Sequence, residues 1–272
     1  MAVRKEEVKK LNRKLMDFLD HSVNAFFAVE NMREILLKEG FHPLYEGEDW
    51  KLESGEKYFV TRNDSALIAF VLPKKPIKGF QMMASHSDSP VFKVKTDPEI
   101  EVDKAYIQLN VEKYGGMICS PWLDRPLSVA GRVLLRTSKG VETRLLNIDR
   151  DLLIIPNLAI HMNREVNDGY KFNAQKDMLP LFSTMEGKGS FKKTVADAAS
   201  VKEEDILDWD LFLYNRQKAT ILGGKEEFIG SGRLDDLQCA FSSLQGILSA
   251  KPKESVALHC VYDNEEVGSG TK

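Results

Sequence analysis

The sequence predicts an α/β fold interrupted by a β-rich insertion, and three features of its patterning carry that expectation. Apolar residues recur at three- and four-residue spacing over residues 5–40 and again over 235–249, as in helices with one buried face. The short apolar runs "SALIAFVLP", "GFQMMAS" and "SVALHCVY" are bounded by turn residues, which suits strands covered on both faces. From about residue 93 to 230 the pattern changes to short alternating pieces punctuated by Gly, Pro, Asn and Asp, the mark of a β-rich unit.

In chain order, Val8, Leu11, Leu15, Phe18 and Leu19, then Val29, Met32, Ile35 and Leu36, define the helical region, and Gly40 supplies its stop. Two strands follow, over "SALIAFVLP" and "GFQMMAS". The alternating pieces include "KAYIQLNV", "RVLLRT" and "ETRLLNI". Leu237, Ala240, Phe241, Leu244, Ile247 and Leu248 then share one helical face, and residues 255–262 form another buried strand. The expected domains are therefore 1–92, the first part of an α/β domain, 93–230, the insertion, and 231–272, the second part.

Composition narrows the function classes. With 272 residues, 43% of them hydrophobic, the chain has material for a real core in one or two domains. A formal net charge of −3 gives no reason to expect nucleic acid or an anionic membrane as partner. The N-terminal stretch "MAVRKEEVKKLNRKLMDFLDH" carries charges throughout and lacks the apolar segment of a secretory signal. Cys119, Cys239 and Cys260 are widely spaced with no C-x-x-C pair, so neither a disulfide framework nor a thiolate zinc site is expected. A reducing cytoplasm is the expected home.

The reactive side chains gather at element ends. "GFQMMASHSDSP" puts His86 and Asp88 just past a strand, and "GSGRLDDL" puts Asp235 where a glycine-rich loop enters a helix. "VALHCVYDNEEVG" puts Asp263, Glu265 and Glu266 past another strand. Sites in open α/β sheets lie in the crevice at the carboxyl ends of strands. Singly, these residues have plainer uses: a hydrogen-bonded turn for His-x-Asp, an N-cap for Asp235, a solvated turn for the Glu pair. Together they bring one imidazole and several carboxylates to one edge, and buried carboxylates are costly unless paired or bound to metal. His259, inside an apolar strand, is expected to be a core histidine.

The stretches "ASHSDSP", "GSGRLDDL" and "DNEEVGSGTK", with "VNAFFAVENMREILLKEGF", "WLDRPLSVAGRV" and "IPNLAIHMNR", resemble the N-terminal part of the aspartyl aminopeptidases, cytosolic dinuclear zinc exopeptidases. The resemblance runs in order over almost the whole chain. It implies a zinc-aminopeptidase-type sheet with flanking helices and an inserted lid or oligomerisation domain. It implies that His86 and Glu266 each bind one of two zinc ions, that Asp235 bridges them and that Asp88 orients the His86 imidazole. Glu265 would be the general base, and His161 would help build a neighbouring subunit's substrate pocket. Partners would be peptides with a free amino terminus, beginning with Asp or Glu, and further copies of the chain in a tetrahedral dodecamer. The chain has Asp236 where the family commonly has Asn, so Asp236 is not expected to be a ligand.

The family continues past the glycine-rich turn with further ligands, so the catalytic domain is expected to be truncated at its C-terminus. Three other readings stand beside this one. One is a related dinuclear metallo-aminopeptidase of different specificity. A dinuclear phosphoesterase is another, although its usual Gly-Asp-x-His and Gly-Asn-His-Glu loops are absent. The last is an inactive fragment acting only in assembly.

Overall fold

The computed structural model of the protein describes residues 5–268. Its first elements are α1 (Lys5–His21), α2 (Ala25–Lys38), β1 (His42–Leu44), β2 (Lys57–Arg62), β3 (Ala66–Val71) and β4 (Gly79–His86). Then come β5 (Val91–Val102), β6 (Tyr106–Tyr114), β7 (Leu127–Thr137), β8 (Gly140–Asn147), β9 (Leu181–Thr184), α3 (Phe191–Ala199) and β10 (Ile206–Asn215). The last are β11 (Thr220–Leu222), β12 (Phe228–Gly230), α4 (Leu234–Ser249) and β13 (Ser255–Tyr262). Two compact units result, one from the segments up to Ser89 and from Lys218 onward, the other from Pro90–Gln217.

The first unit is built on a mixed sheet in the order β1-β2-β3-β13-β4. β13 runs antiparallel to β3 and parallel to β4, which comes from far earlier in the chain. Phe18 and Leu19 of α1, Met32 and Leu36 of α2, and Leu237, Phe241 and Leu244 of α4 pack with Phe59, Leu67, Ala69, Ala257 and Val261 of the strands. Tyr58, Phe70 and Val256 form a smaller cluster. Each lies one position away in its strand from a residue of the larger core, so alternation sends the two sets to opposite faces of the sheet.

Two features depart from the sequence pattern. The helical region over residues 5–40 is broken at Ser22–Asn24, because the Asn24 side chain accepts the Phe27 N–H at 3.2 Å and starts α2 afresh. β4, expected to be covered on both faces, is instead an edge strand among the described residues. Its Phe80 is 65% exposed and its Met82 69%. An apolar run looks the same in sequence whether neighbours flank the strand on one side or two, so periodicity could not distinguish these cases.

The second unit is an antiparallel sheet in the order β8-β7-β10-β5-β6-β9. Phe92, Leu109, Val129, Leu211 and Leu213 from its strands enclose Phe191 and Val195 of α3. Its junctions fall at 89/90 and 217/218, not at 92/93 and 230/231. The β11–β12 hairpin groups with the first unit because α1 holds it: the Ala219 N–H donates to Asp20 at 2.8 Å, and Lys9 pairs with Glu226 at 4.0 Å. Strand-like composition marks a hairpin without showing which core it joins. Among the described residues, no helix is long and apolar enough to cross a membrane.

Candidate metal centre

The parallel pairing of β4 with β13 aligns Tyr262 with His86, so the carboxyl ends of both strands finish side by side. Beyond β4 the chain is pinned by Ser87, whose N–H donates to the Tyr262 carbonyl at 2.8 Å and whose hydroxyl donates to the Ser65 carbonyl at 2.6 Å. Beyond β13, Asn264 adopts the left-handed region (φ 62°), a conformation Asn tolerates better than most residues. A single 3-10 turn over Glu265–Val267 follows. At the start of α4, Asp235 is extended (φ −83°, ψ 116°), so regular helix begins only beyond Asp236.

These three segments meet at the His86 imidazole. Its Nδ1 lies 3.3 Å from Asp88 Oδ1 and 3.1 Å from the Asp88 carbonyl. Nε2 therefore faces the opposite way, 3.6 Å from Asp235 Oδ1, 3.8 Å from Glu265 Oε2 and 3.9 Å from Asp236 Oδ2. Asp88 is 2% exposed, and its Oδ2 accepts the Glu266 N–H at 3.1 Å. An open pocket of about 470 Å³ is lined by Ala84, Ser85, His86, Asp236, Tyr262, Asp263 and Glu265.

The donor set suits a divalent cation. Ligand atoms of His86, Asp235 and Asp236 lie within 4.8 Å of one another, as do those of His86, Glu265 and Glu266. One imidazole among carboxylates is the chemistry that zinc and similar ions take. Negative charge is crowded here: the Glu266 carboxyl is pushed up, first by burial and further by Asp88, Glu265 and Asp235, against the opposing pull of His86. A cation would relieve that crowding.

Of the residues singled out from sequence, His86, Asp88, Asp235, Glu265 and Glu266 converge in the first unit. His161 belongs to the second, exposed in a turn segment. His259 is fully buried in β13. Sequence reasoning passed over two participants. Asp236, set aside as a non-ligand, has its carboxylate in the cluster, and Ser89 donates its hydroxyl to the Asp235 carbonyl at 3.3 Å. Both lie inside the motifs that drew attention to the site, but a contact between residues about 150 positions apart leaves no local trace.

Comparison with known proteins adds an independent line. The profile of the M18 aminopeptidase I zinc metalloproteases matches residues 18–272. The probable M18 family aminopeptidase 2 of Clostridium novyi is 43% identical over 276 residues, covering 98% of this chain and 64% of that protein. Its counterpart in Clostridium acetobutylicum is 45% identical over 268 residues, covering 96% and 62%. The chain thus spans less than two thirds of the length of the curated relatives it matches. A chain in the cryo-EM structure of the Ape4 and Nbr1 complex superposes with a TM-score of 0.93 at 33% identity, covering 100% of this chain and 58% of its own. The S. cerevisiae mApe1 dodecamer gives 0.83 at 26%, covering 97% and 63%.

Proposed function

The chain belongs to the M18 family of aminopeptidase I zinc metalloproteases, and from that premise we propose that it forms the larger part of a zinc-dependent enzyme removing N-terminal residues from peptides. The observation that carries this reading is the meeting of His86, Asp235, Glu265 and Glu266 at the carboxyl ends of two parallel strands. His86 Nε2, Asp235 and Glu266 would hold the metal. Asp235, with its side chain 90% exposed, has two carboxylate oxygens available to bridge a pair of ions. Zinc bound there would act as a Lewis acid toward a carbonyl oxygen and would acidify water.

The chain's own residues supply positioning and proton transfer. Asp88 fixes the imidazole through Nδ1, which leaves Nε2 as the free donor. Glu265, with its side chain 57% exposed beside Nε2, is placed to take the proton of an attacking water and to deliver it to the departing amine. Preference for N-terminal Asp or Glu rests on the sequence resemblance to the aspartyl aminopeptidases. Assembly rests on the yeast relative, which is a dodecamer. We assign that role to the Pro90–Gln217 unit, with His161 reaching a neighbour's pocket and the copies arranged tetrahedrally. Three unpaired thiols, Cys119, Cys239 and Cys260, suit a cytoplasmic setting.

The test is a pair of substitutions in the full-length protein, read by zinc content and by cleavage of peptides differing in their first residue. Glu265→Gln keeps shape but removes the proton acceptor, so turnover should fall roughly 10²–10⁴-fold with zinc retained. Glu266→Ala should lose zinc. Equal zinc loss in both would overturn the assignment. The 272-residue chain alone brings His86, Asp235 and Glu266 to two ions. That is short of the about three protein ligands a catalytic zinc needs. It should therefore hold zinc weakly and turn over slowly.

A further inference from the structure

We infer that Asp236 is a positioning residue of the metal centre: one carboxylate oxygen holds the backbone amide of His86 and so sets where the imidazole stands. This inference rests on the metal-centre reading above. Its geometry is direct, since the His86 N–H donates to Asp236 Oδ2 at 3.1 Å across 150 positions of sequence. The need for such a bond follows from the topology. β4 has β13 on one side and an open edge on the other among the described residues. The next amide along, that of Ser87, points toward β13 and is taken by the Tyr262 carbonyl at 2.8 Å. Successive amides alternate in direction, so the His86 amide points to the open edge, where no strand accepts it. Asp236 supplies the acceptor that the sheet does not.

The bond is one of two that tie the end of β4 to the start of α4. From the same segment, the Ser89 hydroxyl donates to the carbonyl of Asp235, immediately before Asp236. The segment carrying His86 thus gives two donors to the segment carrying Asp235. A shift of either segment would move Nε2 away from Asp235 Oδ1, now 3.6 Å distant.

The rival role is direct metal ligation, because Asp236 lies in the same donor set as His86 and Asp235. Three observations favour positioning. The oxygen nearest Nε2, Oδ2, is the one already accepting the His86 amide. The carboxylate also meets the Cys239 thiol, whose pKa it raises by accepting its hydrogen bond. And the Asp236 side chain is 16% exposed whereas that of Asp235 is 90% exposed, so Asp235 is the one open to a ligand. A positioning role needs the acceptor oxygen and not the charge, and an amide carbonyl serves as well.

That distinction makes the experiment. Asp236→Asn and Asp236→Ala would be compared with wild type in the full-length protein, with urea midpoints as the check on folding. Zinc affinity would be read by competition with a chromophoric chelator, and His86 amide hydrogen exchange by NMR on metal-free protein. D236A should weaken zinc binding roughly 10–100-fold and accelerate His86 amide exchange, while D236N stays within about 3-fold of wild type in zinc affinity. Loss of zinc affinity in D236N equal to that in D236A would make Asp236 a ligand and overturn the inference. So would unchanged amide exchange in D236A. If D236A fails to fold, D236N still decides: retained affinity supports positioning and lost affinity refutes it. Absence of zinc binding in wild type would refute the metal-centre reading, and the exchange measurement would still judge the Asp236–His86 bond on its own.

Discussion

Lowering the pH should destabilise the first unit through a single buried histidine. His259 is fully enclosed in β13, between Ala69 of β3 and Met83 of β4 in the sheet register. Its Nδ1 lies 2.8 Å from the Ser243 hydroxyl oxygen. That hydroxyl spends its one proton on the Ala240 carbonyl at 3.1 Å, so it must accept from His259, and the proton of the neutral ring sits on Nδ1. Nε2 is left buried with no hydrogen-bond partner. A second proton there would place an unpaired charge in an apolar core, and burial accordingly lowers the His259 pKa from 6.5 to about 4.

Because the folded-state pKa lies below the unfolded one, the unfolded chain takes the proton first as pH falls. The stabilisation is fully present above about pH 6.5, is lost progressively down to about pH 4, and changes no further below that. In the window the slope is about 1.4 kcal/mol per pH unit, roughly 3 kcal/mol in all. His259→Leu removes the titration at the cost of one hydrogen bond, about 1 kcal/mol. The variant should therefore be slightly less stable than wild type at pH 7 and more stable by roughly 2 kcal/mol at pH 4. Urea unfolding of both proteins across that range, followed by circular dichroism, gives the difference directly, and the carboxylates common to both cancel. Profiles that stay parallel from pH 7 to pH 4 would refute the reasoning.

Other outcomes can be checked separately. Phe80→Glu with Met82→Lys should reduce aggregation in light scattering and change stability by no more than about 0.5 kcal/mol, because both side chains are already exposed on a strand that is an edge among the described residues. Replacing Pro90–Gln217 by a short linker should abolish higher assembly in sedimentation, with the first unit keeping its helical circular dichroism. Full assembly without that segment would remove its proposed role.

Sequence alone determined what depends on neighbours along the chain. The three- and four-residue spacing of Phe18, Met32, Leu36, Leu237, Phe241 and Leu244 marked the helical faces that the structure buries. The enclosed run around His259 marked a core strand. The motifs at 86–88, 235 and 265–266 marked where reactive groups leave regular structure, because a strand or helix end changes composition within a few residues. Tertiary structure alone decided what depends on segments far apart. Only the parallel pairing of β13 with β4 brings residues 86 and 262 level. Only the edge position of β4 among the described residues turns Asp236 from a bystander into the acceptor of the His86 amide. Only the grip of α1 on the β11–β12 hairpin moves the unit boundary to 217/218. Propensity and periodicity act over a few residues, whereas strand order, edge position and long-range hydrogen bonds are set by how whole elements find a common core, which no local window of sequence contains.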